Sequence, residues 1–516
     1  MSSSKGYVYI VGAGPGDYGL ITVKGLECIR AADVLIYDRL VNERYLNEAK
    51  EGCELIYAGK EASNHAIAQD KINELIALKA EAGNIVTRLK GGDPYIFGRG
   101  SEEALLLKER GIIFEVVPGI SAFSAAPAYA GIPVTHRGYA SSAAVITGHE
   151  DPLKADSDID WKSLAGIGTL VFFMGIKNLA VICRNLMDNG VKGDTPAALI
   201  ERGTTPFQKT LLSNLKNIAA EAESKKMGSP SLLVVSKTAG LSEKLNWFES
   251  RPLCGVKIIV TRAREQASEL SVRLERLGAM VYETPMIKFE APDDGYKSID
   301  AALSGIQNYD LIVFTSVNGV SRFLERLYKT GGDIRSMAGP ALAAIGEKTA
   351  AALNARYLKT DVVPYEYKAE NLAEKIIQAY KSKKLKILIA RAQEARDTLI
   401  EKLEQAGHEV NLAHVYKTVP ATSGCFDIKQ LLTSGEADLV TFASSSTVDN
   451  FVKAAGRDLV AGAKNAGLKV AAIGPITAAS CVKYGLAPDI QPKKYTIEAL
   501  VDEICAYYGA RGSRRL

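Results

Sequence analysis

The stretch Arg88-Leu89-Lys90-Gly91-Gly92-Asp93-Pro94-Tyr95-Ile96-Phe97-Gly98-Arg99-Gly100 decides how the rest of the chain is read. An apolar run from Asn84 to Leu89 stops at two adjacent glycines followed by Asp93-Pro94. Glycines there remove the side chains that would keep a ligand off the backbone, leave amides free to donate, and allow dihedrals closed to other residues. The segment reads as a small-molecule site at the end of a strand. A tight surface turn would account for one Gly-Gly-Asp, but not for Arg88, Lys90 and Arg99 crowded around it.

Outward from this stretch, the first half alternates strands with amphipathic helices. Tyr7 to Val11 is a short strand ending in Gly12-Ala13-Gly14-Pro15-Gly16-Asp17, and Leu20 to Ala31 carries a helical pattern. Further strand-like runs are Val34–Tyr37, Ile85–Arg88, Phe114–Val117, Ala143–Thr147, Thr169–Met174, Ala197–Ile200 and Ser231–Val235. The pattern restarts near Trp247 to Gly255, with a strand over Val256–Thr261 and a helix over Glu265–Leu277, so the domain boundary is placed there. The glycine run at 12–16 is not a dinucleotide fingerprint, because Asp17 stands at its third glycine position and Pro15 stiffens the turn.

The second half repeats a rhythm of strand, small polar residues, then helix. Leu311–Phe314 leads into Thr315-Ser316, and Leu439–Phe442 into Ala443-Ser444; Leu342–Ile345 precedes Gly346, and Val470–Ile473 precedes Gly474. These paired echoes predict two similar lobes, each a parallel sheet with helices on both faces. Ligands in such folds bind beyond the carboxyl ends of strands, near helix N-termini, so the cleft between lobes is the expected site.

At 516 residues the chain exceeds a single core, and a net charge of +4 argues against a dedicated nucleic-acid binder. The seven cysteines form no C-x-x-C pair or Cys/His cluster, which suggests neither a zinc site nor a disulfide framework. His65, His136 and His149 are separated and lack acidic or thiol neighbours at ligand spacing, so no metal is inferred. No apolar run approaches the roughly 20 residues of a membrane span, and a soluble cytoplasmic location is expected.

The glycine string resembles the signature of uroporphyrinogen-III C-methyltransferases. The family's other pieces follow in order: Val11 to Asp17, Tyr37-Asp38-Arg39-Leu40-Val41, Val117 to Ala122, Gly131 to Arg137, Thr147-Gly148-His149 and Phe172 to Gly175. Where that family usually continues Gly-Arg-Gly-Gly, this chain has Ser101. Residues 255 to about 508 are similar to uroporphyrinogen-III synthase, on Phe314-Thr315-Ser316, Ile345 to Ala350, Val415 to Thr418, Phe442 to Ser446 and Ile473 to Ala478. The implied fold class is α/β: a tetrapyrrole-methylase-type two-subdomain fold over 1–250, then a two-lobed parallel α/β synthase domain over 255–510. Its first lobe would combine 255–285 with 420–508 and enclose a second at 289–413, with crossing strands near Glu283–Phe289 and His414–Val419.

The resemblance implies S-adenosylmethionine binding by Pro15, Gly91, Gly92, Asp93, Ile96, Ser121, Ala122, Met174 and Gly203, and no cofactor for the second half. It implies a base at Asp38 and a proton donor at Lys60. On the residues alone, Asp38 fits equally an ion pair with Arg39, Lys60 a solvated lysine, and Met174 core packing. Arg99 and Arg137 are candidates for substrate carboxylates, against surface roles, because a guanidinium grips a carboxylate at two points. In the second half Tyr416 is the candidate to assist departure of hydroxyl, or else a linker tyrosine packed between lobes. Ser316, Thr349, Ser444 and Thr477 are candidate carboxylate binders that would also suit helix capping, and Lys348 and Arg391 could add charge. The implied reaction sequence closes hydroxymethylbilane to uroporphyrinogen III with ring D inverted, then methylates it twice, at C2 and C7, to precorrin-2. The alternative is a methylase of a later corrinoid intermediate fused to a non-catalytic two-lobed tetrapyrrole-binding module. Expected partners are small-molecule tetrapyrroles and a second copy through the methyltransferase half, with no nucleic acid and no membrane.

Overall fold

Val8, Ile10, Val34, Ile36 and Val86 have no more than 2% of their surface exposed. That is the mark of parallel strands covered on both faces. The computed structural model describes residues 6–59, 69–148, 158–262, 264–365, 369–381, 383–394, 397–421 and 426–512. Its first sheet contains β1 (Tyr7–Gly12), β2 (Val34–Tyr37), β3 (Glu54–Tyr57), β4 (Ile85–Lys90) and β5 (Ile113–Val117), in the order β3-β2-β4-β1-β5, all parallel. Strand β3 lacks a continuous apolar face, and the sequence pattern does not reveal it. The helix predicted over Leu20–Ala31 starts only at Val23, where the Thr22 hydroxyl caps the Gly25 amide. Tyr18–Leu20 forms instead a 3-10 turn capped by Asp17.

The second sheet contains β6 (Ala143–Thr147), β7 (Thr169–Phe173), β8 (Pro196–Glu201), β9 (Lys209–Asn214) and β10 (Ser231–Ser236), in the order β6-β7-β10-β8-β9. Only β6 and β7 run parallel; the other pairings are antiparallel. The helix Ala122–Tyr129 starts just beyond β5 and packs Ala126 against Val171, Ala198 and Val234 of this sheet. It therefore couples the edge of the first sheet to the face of the second.

In the second half, β11 (Lys257–Val260), β12 (Met280–Glu283), β18 (Leu439–Phe442) and β19 (Lys469–Ala472) form a parallel sheet in the order β12-β11-β18-β19. The intervening chain forms β13 (Ile287–Glu290), β14 (Leu311–Phe314), β15 (Ala341–Ala344), β16 (Lys386–Ala392) and β17 (Glu409–Pro420), in the order β13-β17-β16-β14-β15. Here the expectation of purely parallel lobes needs correction, because β13 pairs antiparallel with the end of β17. The chain enters and leaves the inserted lobe at the same place, so its two connecting segments must run in opposite directions.

The echoes in the sequence correspond to matched positions in three dimensions. Asp310 and Asp438 each precede a central strand and accept the backbone amide of a neighbouring strand, Lys386 in one lobe and Lys257 in the other. Phe314 meets Phe323 edge-on at 5.3 Å, and Phe442 meets Phe451 edge-on at 5.2 Å. Asp361 accepts the Leu342 amide at 2.8 Å, and Asp489 the Val470 amide at 2.9 Å. Asp310 and Asp438, Phe314 and Phe442, Phe323 and Phe451, and Asp361 and Asp489 are all separated by the same number of positions, as are Ser316 and Ser444, and Gly346 and Gly474; the lysine partners are not.

Candidate active sites

The first site lies at the carboxyl edge of the β1–β5 sheet, where the loops after β1, β2, β4 and β5 converge. Its floor is backbone against backbone. Gly14 and Gly92 exchange hydrogen bonds, with Gly92 N donating to Gly14 O at 2.7 Å and Gly14 N to Gly92 O at 3.2 Å. A Cβ on Gly119 would fall 2.2 Å from the Gly92 carbonyl oxygen and 2.7 Å from Gly12 Cα, so no larger residue fits. Gly92 itself has a φ of 70°, and a Cβ there would point into open space. The loop thus turns an unobstructed face outward.

The candidate cofactor residues lie in this floor, in the loops beside it and in the segments that pack on the helix Ala122–Tyr129. The Asp93 carboxylate accepts the Tyr95 amide at 2.8 Å and the Gly119 amide at 3.0 Å, which locks the Gly91-Gly92 loop to the turn after β5. Gly91 lies against Leu40, and Ile96 is 38% exposed. Ser121 is buried at the start of the helix Ala122–Tyr129 and its hydroxyl makes no capping bond. Met174, at a φ of 55°, is half exposed. It follows Phe173, whose ring meets Phe97 of the glycine loop at 5.3 Å. Pro15 sits in the loop after β1, and Gly203 packs against Ala126.

Asp17 joins these loops. Its carboxylate accepts the Tyr129 hydroxyl at 2.8 Å, and its amide donates to the Thr204 hydroxyl at 3.3 Å. Burial and the Asp17 charge push the Tyr129 hydroxyl well above its ordinary pKa, so it stays a donor. In the sequence Asp17 stands out as the residue in place of a third glycine and as the end of the Val11–Asp17 string, with no sign of its partners. Its partners come from distant segments, and nothing local could have revealed them.

Asp38 stands directly after β2, with its side chain 29% exposed. Its ion pair is with Arg88 at 2.6 Å, not with Arg39, because Ile36 and Arg88 are register partners across β2 and β4. Arg88 and Lys90 are correspondingly not ligand-facing charges. Both are almost wholly buried on the buried Glu103, at 3.1 Å and 2.6 Å respectively. Burial and the neighbouring Arg88 lower the Lys90 pKa, against the pull of Glu103. For Arg88, burial works downward, but Glu103 and Asp38 together hold its pKa raised. Arg99 is exposed at the start of the helix Gly100–Glu109, with two bonds to Glu102 at 2.8 and 2.7 Å. Arg137 is exposed in the turn closed by His136 and Ala140. Lys60, His65 and His149 lie outside the described residues.

In the second half the four candidate hydroxyls sit at four helix N-termini, two per lobe. Ser316 caps the helix Val317–Lys329 through the Gly319 amide at 2.9 Å, and its oxygen also meets the Tyr416 hydroxyl at 3.2 Å. Tyr416 comes from β17 and is 7% exposed, edge-on to Phe289 of β13. Burial raises its pKa, and hydrogen bonds with Ser316 and Asn318 partly offset that. Ser444 caps the helix Ser445–Ala455, but its partners are all within its own turn: a reciprocal cap with Thr447 and a contact with Ser446 at 3.0 Å. Thr349 and Thr477 are buried in the first turns of the helices Glu347–Asn354 and Pro475–Lys483. The Glu498 carboxyl is held below its ordinary value by a hydrogen bond from its own backbone amide first, and more weakly by the charge of Lys348 in the other lobe. Arg391 is buried and bonded to Asp397 at 2.9 Å, so its charge is spent within the lobe.

Comparison with known proteins divides the chain as the sheets do. The family described as Tetrapyrrole (Corrin/Porphyrin) Methylases matches residues 7–219, and Uroporphyrinogen-III synthase HemD matches residues 268–502. Residues of the first half are 50% identical over 248 positions to Uroporphyrinogen-III C-methyltransferase of Bacillus subtilis (strain 168), covering 48% of this chain and 95% of that one. A solved structure of Uroporphyrin-III C-methyl transferase from Thermus thermophilus, complexed with S-adenyl homocysteine, aligns at a TM-score of 0.39 and 36% identity, over 45% of this chain and 93% of that one. Fold and matches together define a tetrapyrrole methylase continued, in one chain, by a uroporphyrinogen-III synthase domain. Over 500 residues the chain is 36% identical to Porphyrin biosynthesis protein HemD of Ruminiclostridium josui, covering 97% of each. It belongs to that family. Among the described residues no helix is long and apolar enough to cross a membrane.

Proposed function

We propose that the second half cyclises hydroxymethylbilane to uroporphyrinogen III and that the first half then methylates this product at C2 and C7, using S-adenosylmethionine, to give precorrin-2. The observation that carries the reading is the floor of the first site, where Gly12 and Gly119 touch each other and the Gly92 carbonyl without room for a Cβ, while Gly92 faces outward. Such a surface suits a flat or extended ligand that must approach backbone amides. The buried, uncapped Ser121 hydroxyl and the exposed Met174 thioether offer a polar and a polarizable contact beside it. The donor supplies an electrophilic methyl group, and the protein's task is alignment and removal of a pyrrole proton. Asp38 is positioned for that proton by Arg88, which Glu103 fixes from behind. Arg99 and Arg137 are exposed and suited to the substrate's carboxylates.

In the second half, amides and hydroxyls at paired helix N-termini suit the eight carboxylates of a flexible linear tetrapyrrole. Holding it bent so that the last ring attacks inverted is the main catalytic demand. Tyr416, kept protonated by burial, would donate a hydrogen bond to the departing hydroxyl. Supply of hydroxymethylbilane without methyl donor should yield the type III macrocycle. Supply of uroporphyrinogen III with S-adenosylmethionine should yield a dimethylated product. Only type I macrocycle in the first assay, or no methylation in the second, would refute the corresponding half. We place the boundary between the halves near residues 250–255, and we propose cytoplasmic location and pairing of two copies through the methylase half.

A further inference from the structure

The two halves meet at a half-buried ion cluster that neither site uses. Arg44, in the 3-10 segment Glu43–Glu48 that follows Asp38, bonds to Glu275 of the helix Arg264–Arg276 and lies 3.8 Å from Glu283 at the end of β12. Each of the three side chains is less than a third exposed. An ion pair taken out of water contributes little net stability, because desolvation offsets the attraction. Losing one partner strands a buried charge, so the pair fixes geometry more than it holds the fold.

What Arg44 touches on its own side is the methylase cradle. Its guanidinium lies 4.3 Å over the Tyr18 ring, which stacks on Tyr45 at 5.0 Å. The Tyr45 hydroxyl donates to the Tyr18 carbonyl at 2.8 Å, next to Asp17, and Asn42 donates to the Gly16 carbonyl at 2.9 Å. These bonds seat the loop whose Asp17 ties together Tyr129 and Thr204. A second contact lands on the other loop of that tie: the Cys254 thiol meets the Pro206 carbonyl at 3.5 Å, and the Lys257 ammonium lies 5.4 Å from the Phe207 ring. The synthase lobe and the boundary segment before it therefore touch the loop after Thr204, and through Arg44 the lobe bears on the loop that carries Asp17.

We infer that the synthase half braces the donor cradle of the methylase half, with Arg44, held by Glu275 and Glu283, acting as a positioning residue for the Asp17 tie. This rests on the methylase reading above. Its direct consequence is that substitutions wholly within the synthase half, at neither of that half's capping serines nor at Tyr416, weaken donor binding in the other half. The test uses the full chain and calorimetric titration with S-adenosylmethionine and S-adenosylhomocysteine. Type III formation is measured on the same samples to show that the synthase half is folded.

The paired change Glu275→Gln with Glu283→Gln is expected to raise both dissociation constants on the order of tenfold, leaving type III formation unchanged. Arg44→Glu should do the same, Arg44→Lys should recover part of the loss, and Arg44→Glu combined with Glu275→Arg should recover most of it. Wild-type affinity in the Glu275→Gln, Glu283→Gln protein would overturn the inference, as would a reversed pair no better than Arg44→Glu alone. Absence of binding by the unaltered chain would overturn the methylase reading itself, which separates the two failures.

Discussion

The two halves build ligand-facing edges in opposite ways. In the methylase half the floor is three glycines in backbone contact, and the polar groups that shape it, Asp93 and Asp17, point inward to hold loops together. In the synthase half the edge is a repeated pair of helix starts, one capped by a serine and one opened by a glycine without a side-chain cap, Ser316 with Gly346 and Ser444 with Gly474, spread over two separate lobes. A backbone contact with no room for a methyl group either forms or fails. A set of helix starts on two bodies is graded, and each serine hydroxyl is engaged first by its own helix. The lobes differ from each other in the same sense: Ser316 shares its oxygen with Tyr416, whereas Ser444 spends its bonds inside its own turn.

The sharpest way to break this comparison is Gly119→Ala. The new Cβ would lie 2.2 Å from the Gly92 oxygen, a clash that only a shift of the loop relieves. Donor affinity, read by calorimetry, should fall at least about a hundredfold, roughly 3 kcal/mol, while type III formation continues. Retained affinity would mean that the floor is not the binding surface.

A smaller effect is expected of Tyr416→Phe. Removing one hydrogen bond to the departing group, worth about 1.4 kcal/mol, should slow type III formation about tenfold and leave methylation of supplied uroporphyrinogen III intact. An unchanged rate would return Tyr416 to a packing role between β13 and β17.

Smaller again is the contrast between the two capping serines. Ser444→Ala should lower stability to urea by about 1 kcal/mol with little change in turnover, because its hydroxyl is committed to the helix. Ser316→Ala should cost a similar stability and also slow turnover several-fold, since it removes the partner of Tyr416. Equal effects of both changes on turnover would erase the asymmetry between lobes.

The smallest effect concerns pH. Asp489 is buried enough to disfavour its charge, but hydrogen bonds from Lys464 and the Val470 amide, with Lys464 and Lys469 nearby, hold its pKa below the ordinary value. A carboxylate with a lowered folded pKa stabilises the fold above its unfolded value and loses that contribution as pH falls through the folded one. The stability gap between wild type and Asp489→Asn should therefore be constant from about pH 5 to 8 and close below about pH 4. A gap that widens on acidification would contradict the assigned pairing.

Much of this architecture is legible in the sequence where a strand is a short apolar run stopped by a turn. Val34–Tyr37, Ala143–Thr147, Leu311–Phe314 and Leu439–Phe442 occupy the spans that their composition predicts. The edge strand β9, with polar residues at both ends, is not visible, β3 is half exposed and its run Leu55-Ile56-Tyr57 is too short to stand out, and β16 is masked by the lysines before it and by Arg391 within it. The glycine loop announces a site because its residue types have few other uses. The partners of charged residues are not announced, since they depend on register: Arg88 serves Asp38 only because β2 and β4 pair in one particular alignment. The tie made by Asp17 is hidden for the same reason, as Tyr129 and Thr204 reach it from different sheets' surroundings.

The account stands or falls most directly on anaerobic incubation of the full chain with freshly made hydroxymethylbilane and isotopically methyl-labelled S-adenosylmethionine, resolving products by mass and by isomer. A type III macrocycle carrying two labelled methyl groups is expected. A macrocycle of type I only, or a type III product without label, would contradict the claim that one chain performs both steps in succession.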